Sequence, residues 1–312
     1  MVLTLGFFSP TAYGDDVSSS AQSGSSASAE TNFTVLRVGV TESANTTRSG
    51  PPVELFRQAL SEAISLPVEV IRFPNLPTLI DAFATGRIHY AKMSALGYLS
   101  VNKLCDCAQP FVSPTIGDGF TGQRSVLVTV ASEIEEVSEL EGKPVGLGDV
   151  SQVMVGTVPR AEFTDQGTPL PDLGFDLQNF QTLETAIDSL KSGQFIASFG
   201  WTLSRGTDKN ESGLSGRFAR SLEAGLEMEP RMLWQSQHYP FGPHILHKQV
   251  PEETVRRVRS LMLGLHTTNP FAFDEVSGSF DGPFNTVPPN DYTVYGPVFE
   301  TIRRGSKANP TD

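Results

Sequence analysis

The stretch "LIDAFATGRIHYA", residues 79–91, recurs in altered form as "AIDSLKSGQFIAS", residues 186–198. The Ile-Asp pair and the glycine that follows it lie 107 residues apart in the two copies. The same offset pairs "RVGVTE", residues 37–42, with "PVGLGD", residues 144–149. Two separate matches at one offset indicate an internal duplication, which decides the fold.

Each copy predicts a strand, a helix, a second strand, a helix that ends at a glycine, and a third strand. In the first copy these segments start near Val35, Val53, Val68, Pro77 and Ile88, and Gly86 follows the second helix. The second copy is expected to repeat the order from Lys143. Right-handed crossovers turn such a βαβαβ unit into a mostly parallel sheet covered by helices.

The segments between and after the two copies predict two crossings between two lobes. Residues 122–143 read as a strand followed by an acidic helix, and residues 229–265 as a return strand and a helix that opens at Pro251. The predicted fold is an α/β clamshell with lobe 1 at 32–122 plus 236–305 and lobe 2 at 123–235. Hinges are expected near 122–125 and 234–239, and the ligand in the cleft between the lobes, outside the carboxyl ends of the strands.

The two ends of the chain read differently from its middle. Residues 1–14 resemble a signal peptide, with Ala12 and Gly14 at the positions of small residues before a cleavage site. Because a positive n-region is missing, an upstream start and an ordinary apolar tail remain alternatives. Residues 15–31 predict a flexible Ser-rich leader, and residues 306–312 a fraying tail. We therefore expect an exported protein, with no other apolar run long enough to span a bilayer.

Charge and motifs exclude several function classes. The net charge of -12 and a pI of about 4.9 argue against nucleic acid as a partner. The sequence has no Gly-x-Ser-x-Gly elbow, no P-loop and no His-Glu-x-x-His. The histidines are not spaced as a metal motif. We predict a monomeric binding protein with no catalytic residue, no cofactor and no metal, and an enzyme on the same fold stays open as an alternative.

Four motifs, in their order, resemble the periplasmic phosphonate-binding proteins of ABC importers. They are "ATGRIHYAKMSALGYL", "GQRSVLVTVASEIEEVSELEGKPVGLGD", "VPR" and "YPFGPHILHKQVPEETVRRVR", and the resemblance spans about residues 34–265. It implies a two-lobed solute-binding protein of the periplasm that closes on a small oxyanion and delivers it to an ABC permease.

The chain departs from that family where an oxyanion would be held. Family members commonly carry a Ser-Thr-Ser-Gly run at the helix start after the first strand of the second lobe, where hydroxyls and N–H groups bind the anion. In this chain only Ser151 has a hydroxyl, and Gln152, Val153 and Met154 follow it. The departure favours a less charged ligand.

Cys105 and Cys107 are the only cysteines of the chain and stand one residue apart after the "ALGYL" segment. Three interpretations stay open at this point. The cysteines are inert small hydrophobes, or they form a disulfide in an oxidising periplasm, or at least one thiol binds a soft, thiophilic species.

A branch of the same family consists of arsenite-sensing proteins encoded beside arsenite oxidase and a sensor histidine kinase, and the chain resembles this branch. The resemblance implies arsenic at Cys107 or Cys105, hydroxyl ligands from Ser94, Tyr98 and Thr41, and signalling to the membrane kinase. The alternative is the binding protein of a phosphonate, phosphate or phosphite importer. Further cleft residues are expected, each with core packing as its alternative: Met93, Met154, Trp201 and Tyr239.

Overall fold

The structure, a computed structural model, describes residues 33–42, 53–117, 119–165, 167–206, 213–224 and 229–308. The predicted signal peptide, the leader up to residue 31 and residues 309–312 of the tail lie outside the described residues. The strands are β1 (Leu36–Thr41), β2 (Val68–Phe73), β3 (Tyr90–Lys92), β4 (Ala108–Thr115), β5 (Gly122–Thr129), β6 (Pro144–Gly148), β7 (Thr164–Asp165), β8 (Thr168–Pro169), β9 (Asp176–Phe180), β10 (Ala197–Ser204), β11 (Arg231–Gln235), β12 (Tyr239–Pro240), β13 (His244–His247) and β14 (Gly282–Thr286).

The α-helices are α1 (Glu54–Ile64), α2 (Leu76–Ala84), α3 (Ala95–Cys105), α4 (Val158–Glu162), α5 (Leu183–Lys191), α6 (Arg217–Glu223), α7 (Glu252–Thr268), α8 (Pro270–Ser277) and α9 (Gly296–Ala308). Segments of 3₁₀-helix occur at Val137–Leu140, Leu170–Asp172 and Pro289–Tyr295, and a π-helical turn at Val153–Thr157. No helix among the described residues is long and apolar enough to cross a membrane.

The first sheet has the strand order β14-β4-β13-β3-β1-β2. Its strands β1, β2 and β3 are parallel, whereas β13 and β14 run antiparallel to their neighbours. The ring of Phe56 in α1 lies 5.6 Å from that of Tyr90 on one face. On the other face, Leu79 of α2 and Tyr98 of α3 join one apolar cluster with Ala91. We call this sheet with its helices the first lobe.

The second sheet, with the order β11-β5-β10-β6-β9, repeats the first in register. In the first lobe, Val38 of β1 pairs with Tyr90 of β3. In the second lobe, the residues 107 positions later pair in the same way, Val145 of β6 with Ala197 of β10. Helices α2 and α5 match over their whole length at the same offset. The sheets are mixed, because β5 runs antiparallel to both neighbours, and the two-lobed α/β fold is the predicted one.

Two segments differ from the prediction. The counterpart of α1 in the second lobe is not one helix: the π-helical turn at Val153–Thr157 leads into the short α4, and a β7–β8 hairpin follows. The predicted acidic helix before Lys143 is only the 3₁₀ turn at Val137–Leu140. A capping box formed by Glu136 and Glu139 opens this turn, and it ends where Glu141 leaves the helical conformation and Gly142 has a φ of 69°.

The carboxyl ends of both sheets face the two crossings. The strand β4 leads through residues 116–121 into β5, and β11 leads through β12 into β13. The crossings are held together where Tyr239 pairs with Gln123 and Pro240 with Gly122. Since β3 and β10 end beside these segments, the carboxyl ends of β1, β3 and β6 lie on the side of the crossings, where the sequence predicts the cleft.

Candidate ligand cleft between the lobes

The start of α3 forms the first-lobe side of the cleft. Ser94 is the N-cap of this helix, and its Oγ accepts a hydrogen bond from the Gly97 N–H at 3.1 Å. The Met93 N–H donates to the Pro243 carbonyl at 3.0 Å, which ties the strand end to the second crossing. The cap uses one lone pair of the exposed Ser94 hydroxyl. The O–H donor and the second lone pair of this hydroxyl are left for a solute.

The loop after β6 forms the second-lobe side, and its polar groups are largely satisfied by one another. The Asp149 carboxylate accepts from the Ser151 N–H at 2.9 Å, and this bond together with the Ser151 hydroxyl holds the pKa of Asp149 below its usual range. The Gln152 amide accepts from the Asp149 N–H at 2.9 Å and donates to the Gln181 carbonyl at 2.9 Å. A carboxylate of the chain itself thus occupies the Ser151 amide.

The π-helical turn is fixed by close backbone contacts. A Cβ at Gly156 would stand 1.9 Å from the Asp149 carbonyl oxygen, so only glycine fits there. The Arg160 guanidinium donates to the carbonyls of Gly148 at 2.8 Å and Gly156 at 2.7 Å. The sequence had shown "VPR" as a family motif, and the structure gives Arg160 a positioning function.

The two lobes touch through apolar side chains of this turn. Val153 and Met154 pack against the apolar cluster of the first lobe that contains Met93, Tyr98 and Tyr239. The side chains of Met93 and Tyr98 are each 3% exposed, and Tyr239 is fully buried. The contact between the lobes thus brings together four of the expected residues, Met93, Tyr98, Met154 and Tyr239, in and against one apolar cluster.

A row of tyrosines lies behind this contact. Ring centroids are 5.1 Å apart for Tyr98 and Tyr292, 6.4 Å for Tyr292 and Tyr295, and 4.8 Å for Tyr295 and Tyr239. The Tyr239 hydroxyl donates to the Glu162 carboxylate in α4. Burial, and then this carboxylate, keep the pKa of Tyr239 above its usual value, so the hydroxyl stays protonated.

The cysteines form a disulfide, Cys105–Cys107, with an S–S distance of 2.01 Å. The second of the three interpretations therefore describes this structure, and the inert-thiol interpretation is wrong for it. Cys105 is the last residue of α3 and Asp106 has the positive φ of 45°, so a helix-end turn brings the sulfurs together rather than an extended segment. Both cysteines pack against the first-lobe cluster. Neither sulfur is a thiolate here, so arsenic binding requires reduction first.

The remaining expected residues are separated. Trp201 lies inside β10, paired with Ser125, and packs against the second-lobe cluster, so it does not stand at a strand end as expected. Thr41 ends β1 and borders a different cavity, beside Lys92. Ser151 and Gln152 lie on the cleft loop. Sequence reasoning missed Asp149 and Glu162, although an Asp two residues before a serine is a known signal for a local side-chain turn.

The described residues contain no group of three or more His, Cys, Asp or Glu side chains that could hold a metal ion. Solved structures similar to this chain include XAC2383 from Xanthomonas citri, determined with a chloride ion, at 12% identity over 88% of this chain and 99% of that one, with a TM-score of 0.54. Transferrin 1 from Manduca sexta matches at 14% identity over 86% and 47%, with a TM-score of 0.53. PhnD1 from Prochlorococcus marinus, solved with methylphosphonate, matches at 14% identity over 86% and 98%, with a TM-score of 0.48. At these identities the likeness to the first two structures shows the fold alone.

A family model described as "ABC transporter, phosphonate, periplasmic substrate-binding protein" matches residues 39–281, which is most of the chain. The match contains the second copy of the duplication, the first copy from residue 39 onward, both crossings and the loop after β6. Its members bind solutes, so the prediction of a binding protein rather than an enzyme is confirmed. The chain belongs to the family of periplasmic substrate-binding proteins of phosphonate ABC transporters.

Proposed function

We propose that this protein is the solute-binding component of an ABC importer and takes up a small phosphonate, phosphate or phosphite in its singly charged form. The solute would lie between the Ser94 hydroxyl at the start of α3 and the loop that carries Ser151 and Gln152. The preference for a single charge is supported by the hydrogen bond that the Asp149 carboxylate accepts from the Ser151 N–H. A dianion beside this carboxylate would meet like charge where family members offer hydroxyl groups.

The experiment is a calorimetric titration with methylphosphonate, phosphite and phosphate. Each ligand is titrated at pH values below and above the pKa of its second ionisation. We expect affinity to fall as pH rises through that ionisation. Asp149→Asn keeps an acceptor oxygen for the Ser151 amide and removes the charge, so dianion affinity is expected to rise about tenfold. Asp188→Asn, an exposed change of equal charge on α5, is the control. Equal dianion affinity in Asp149→Asn and the natural protein would refute the charge preference.

Arsenite is the second candidate, supported by the place of the cysteine pair against the same cluster as Tyr98 and Met154. After reduction of the disulfide, two thiols would replace two hydroxyls of arsenous acid and release two waters. The partner would then be a membrane sensor histidine kinase rather than a permease. Thermal-shift titrations with and without a reductant decide between the two. If arsenite alone stabilises the reduced protein, and Cys105→Ser or Cys107→Ser abolishes the effect, the importer proposal fails.

A further inference from the structure

A cavity of about 220 Å³ lies in the first lobe, at the carboxyl ends of β1 and β3. One side is apolar and is formed by Val38, Val40, Val53 and Phe56. The lining also includes four residues with ionisable side chains, Tyr90, Lys92, His244 and Glu275. At roughly 30 Å³ per water, the volume corresponds to about seven waters, the size of a small organic molecule.

His244 contributes an unpartnered buried donor. It pairs with Lys92 across β13 and β3, so the two side chains stand on one face of the sheet. The Tyr90 hydroxyl lies 2.6 Å from His244 Nδ1, its only hydrogen-bond partner among the described residues, so we assign the hydroxyl as the donor and Nδ1 as the acceptor. Burial, and then the Lys92 charge, hold the pKa of His244 well below its usual value, so the ring is neutral with its proton on Nε2.

The Nε2 atom of His244 is buried and has no hydrogen-bond partner among the described residues. Nearly all buried polar groups in folded proteins have a partner, in the protein or in a bound molecule. An acceptor oxygen at this place satisfies the Nε2–H.

Lys92 places a cation at the same end of the cavity. Its Nζ donates to the carbonyls of Val276 at 3.1 Å and Ser277 at 2.9 Å, at the C-terminus of α8. An ammonium group has three donors, so one N–H is left for a ligand. Lys92 and the Nε2–H of His244 together suit a carboxylate.

Glu275 places an anion on the cavity wall as well. One carboxylate oxygen accepts from the Phe56 N–H at 2.8 Å in the first turn of α1, and the other makes no hydrogen bond to a described residue. A ligand that carries only negative charge would be repelled by this carboxylate. A ligand with charges of both signs, a few bonds apart, has a partner for each.

We propose that this cavity binds a small aliphatic α-amino acid, of the size of alanine to valine, as the zwitterion. The carboxylate accepts from His244 Nε2–H and from the Lys92 ammonium, the amino group donates to Glu275, and the alkyl side chain packs on Val38, Val40 and Phe56. The lining residues all belong to the first lobe, so binding requires no closure of the cleft. Because Lys92 and Met93 point to opposite faces of the sheet, this site is distinct from the oxyanion cleft and goes beyond its function.

The test is calorimetry with L-alanine and L-valine and with two analogues that each keep one of the two charges. Isobutyrate has only the carboxylate, and isobutylamine has only the ammonium group. The amino acids are expected to bind and the analogues to bind at least about tenfold more weakly. Lys92→Met and Glu275→Gln are each expected to weaken valine binding at least about tenfold. Lys103→Met, which removes a surface lysine paired with Glu300, is the matched control and leaves valine binding unchanged.

A second readout needs no variant in the cavity. The ring N–H signal of His244 in a proton–nitrogen spectrum is expected to shift when valine is added and to stay in place with methylphosphonate. Three results would overturn the proposal: no amino acid binds at up to about 10 mM, the analogues bind as well as valine, or the His244 signal does not move. None of them bears on the oxyanion cleft, so the two proposals fail separately.

Discussion

The His89 side chain is 6% exposed, and its Nδ1 accepts the Arg37 N–H at 3.1 Å. Burial, and then the charge of Arg37, lower its pKa to about 4. In the unfolded chain, the pKa of a histidine side chain is about 6.5. Stability from this residue is therefore complete above about pH 6.5 and is lost as pH falls toward 4, by about 3 kcal/mol.

Urea unfolding at a series of pH values checks this expectation. His89→Asn keeps an acceptor near the Nδ1 position and cannot take up the proton, so its stability is expected to fall less between pH 6.5 and pH 4. His244 and His247 also have lowered pKa values, so some slope remains in the variant. Equal slopes for the two proteins would show that His89 does not control the acid response.

The disulfide stabilises the end of α3, and its removal is expected to cost little because the loop it closes is so short. We expect Cys105→Ser with Cys107→Ser to lower the free energy of unfolding by about 1 to 2 kcal/mol. Differential scanning calorimetry with and without reductant measures the change, and reductant is expected to affect only the natural protein. A variant of unchanged stability that no longer binds the solute would instead identify the sulfurs as ligands.

At the scale of elements, α2 and α5 begin in the same way. Asn75 accepts from the Thr78 N–H at 3.0 Å, and Thr182 accepts from the Thr185 N–H at 3.1 Å. We expect Asn75→Ala and Thr182→Ala each to cost about 1 kcal/mol in chemical denaturation, because each removes one N-cap. Ser132→Ala, in an exposed loop, is the control, with an expected change below about 0.5 kcal/mol. A large cost in one lobe only would contradict the structural equivalence of the two helices.

The elements also show where the duplication has been altered. After β1 the chain forms α1, but after β6 it forms the π-helical turn and α4, with the Asp149 carboxylate at the start. Gly148, Gly156 and Arg160 hold this turn against the strand end. The second copy has thus exchanged an ordinary helix for a rigid cleft loop.

For the whole molecule, Gly122 sets how closely the crossings approach. A Cβ at this position would stand 2.2 Å from the Tyr239 carbonyl oxygen. Gly122→Ala is expected to separate the crossings and to cost about 2 kcal/mol or more. Gly296→Ala, where a Cβ meets no atom within 4 Å, is the control. Calorimetry measures the stability, and small-angle scattering with and without solute measures closure of the lobes. If Gly122→Ala is as stable as the natural protein and closes to the same extent, the glycine does not have this function.

The internal duplication and the order of strands and helices in the first copy were predictable from the sequence, and so was the second copy apart from the segment after β6. These follow from local signals: apolar period, capping residues, and the glycines Gly86 and Gly193, whose φ angles are 71° and 75°. The resemblance of ordered motifs also gave the family. The same local signals overstated the acidic helix before Lys143, because charge pattern alone does not supply a face to bury.

Only the tertiary structure decided what the side chains do. Tyr90 and His244 are 154 residues apart and meet because β13 returns between β3 and β4. Tyr239 meets Glu162 only because the second crossing passes α4. Such contacts depend on the register of distant strands, which no local pattern encodes. For this reason Trp201, placed by sequence at a strand end, lies within β10, and the cavity of Lys92, His244 and Glu275 had no signal in the sequence.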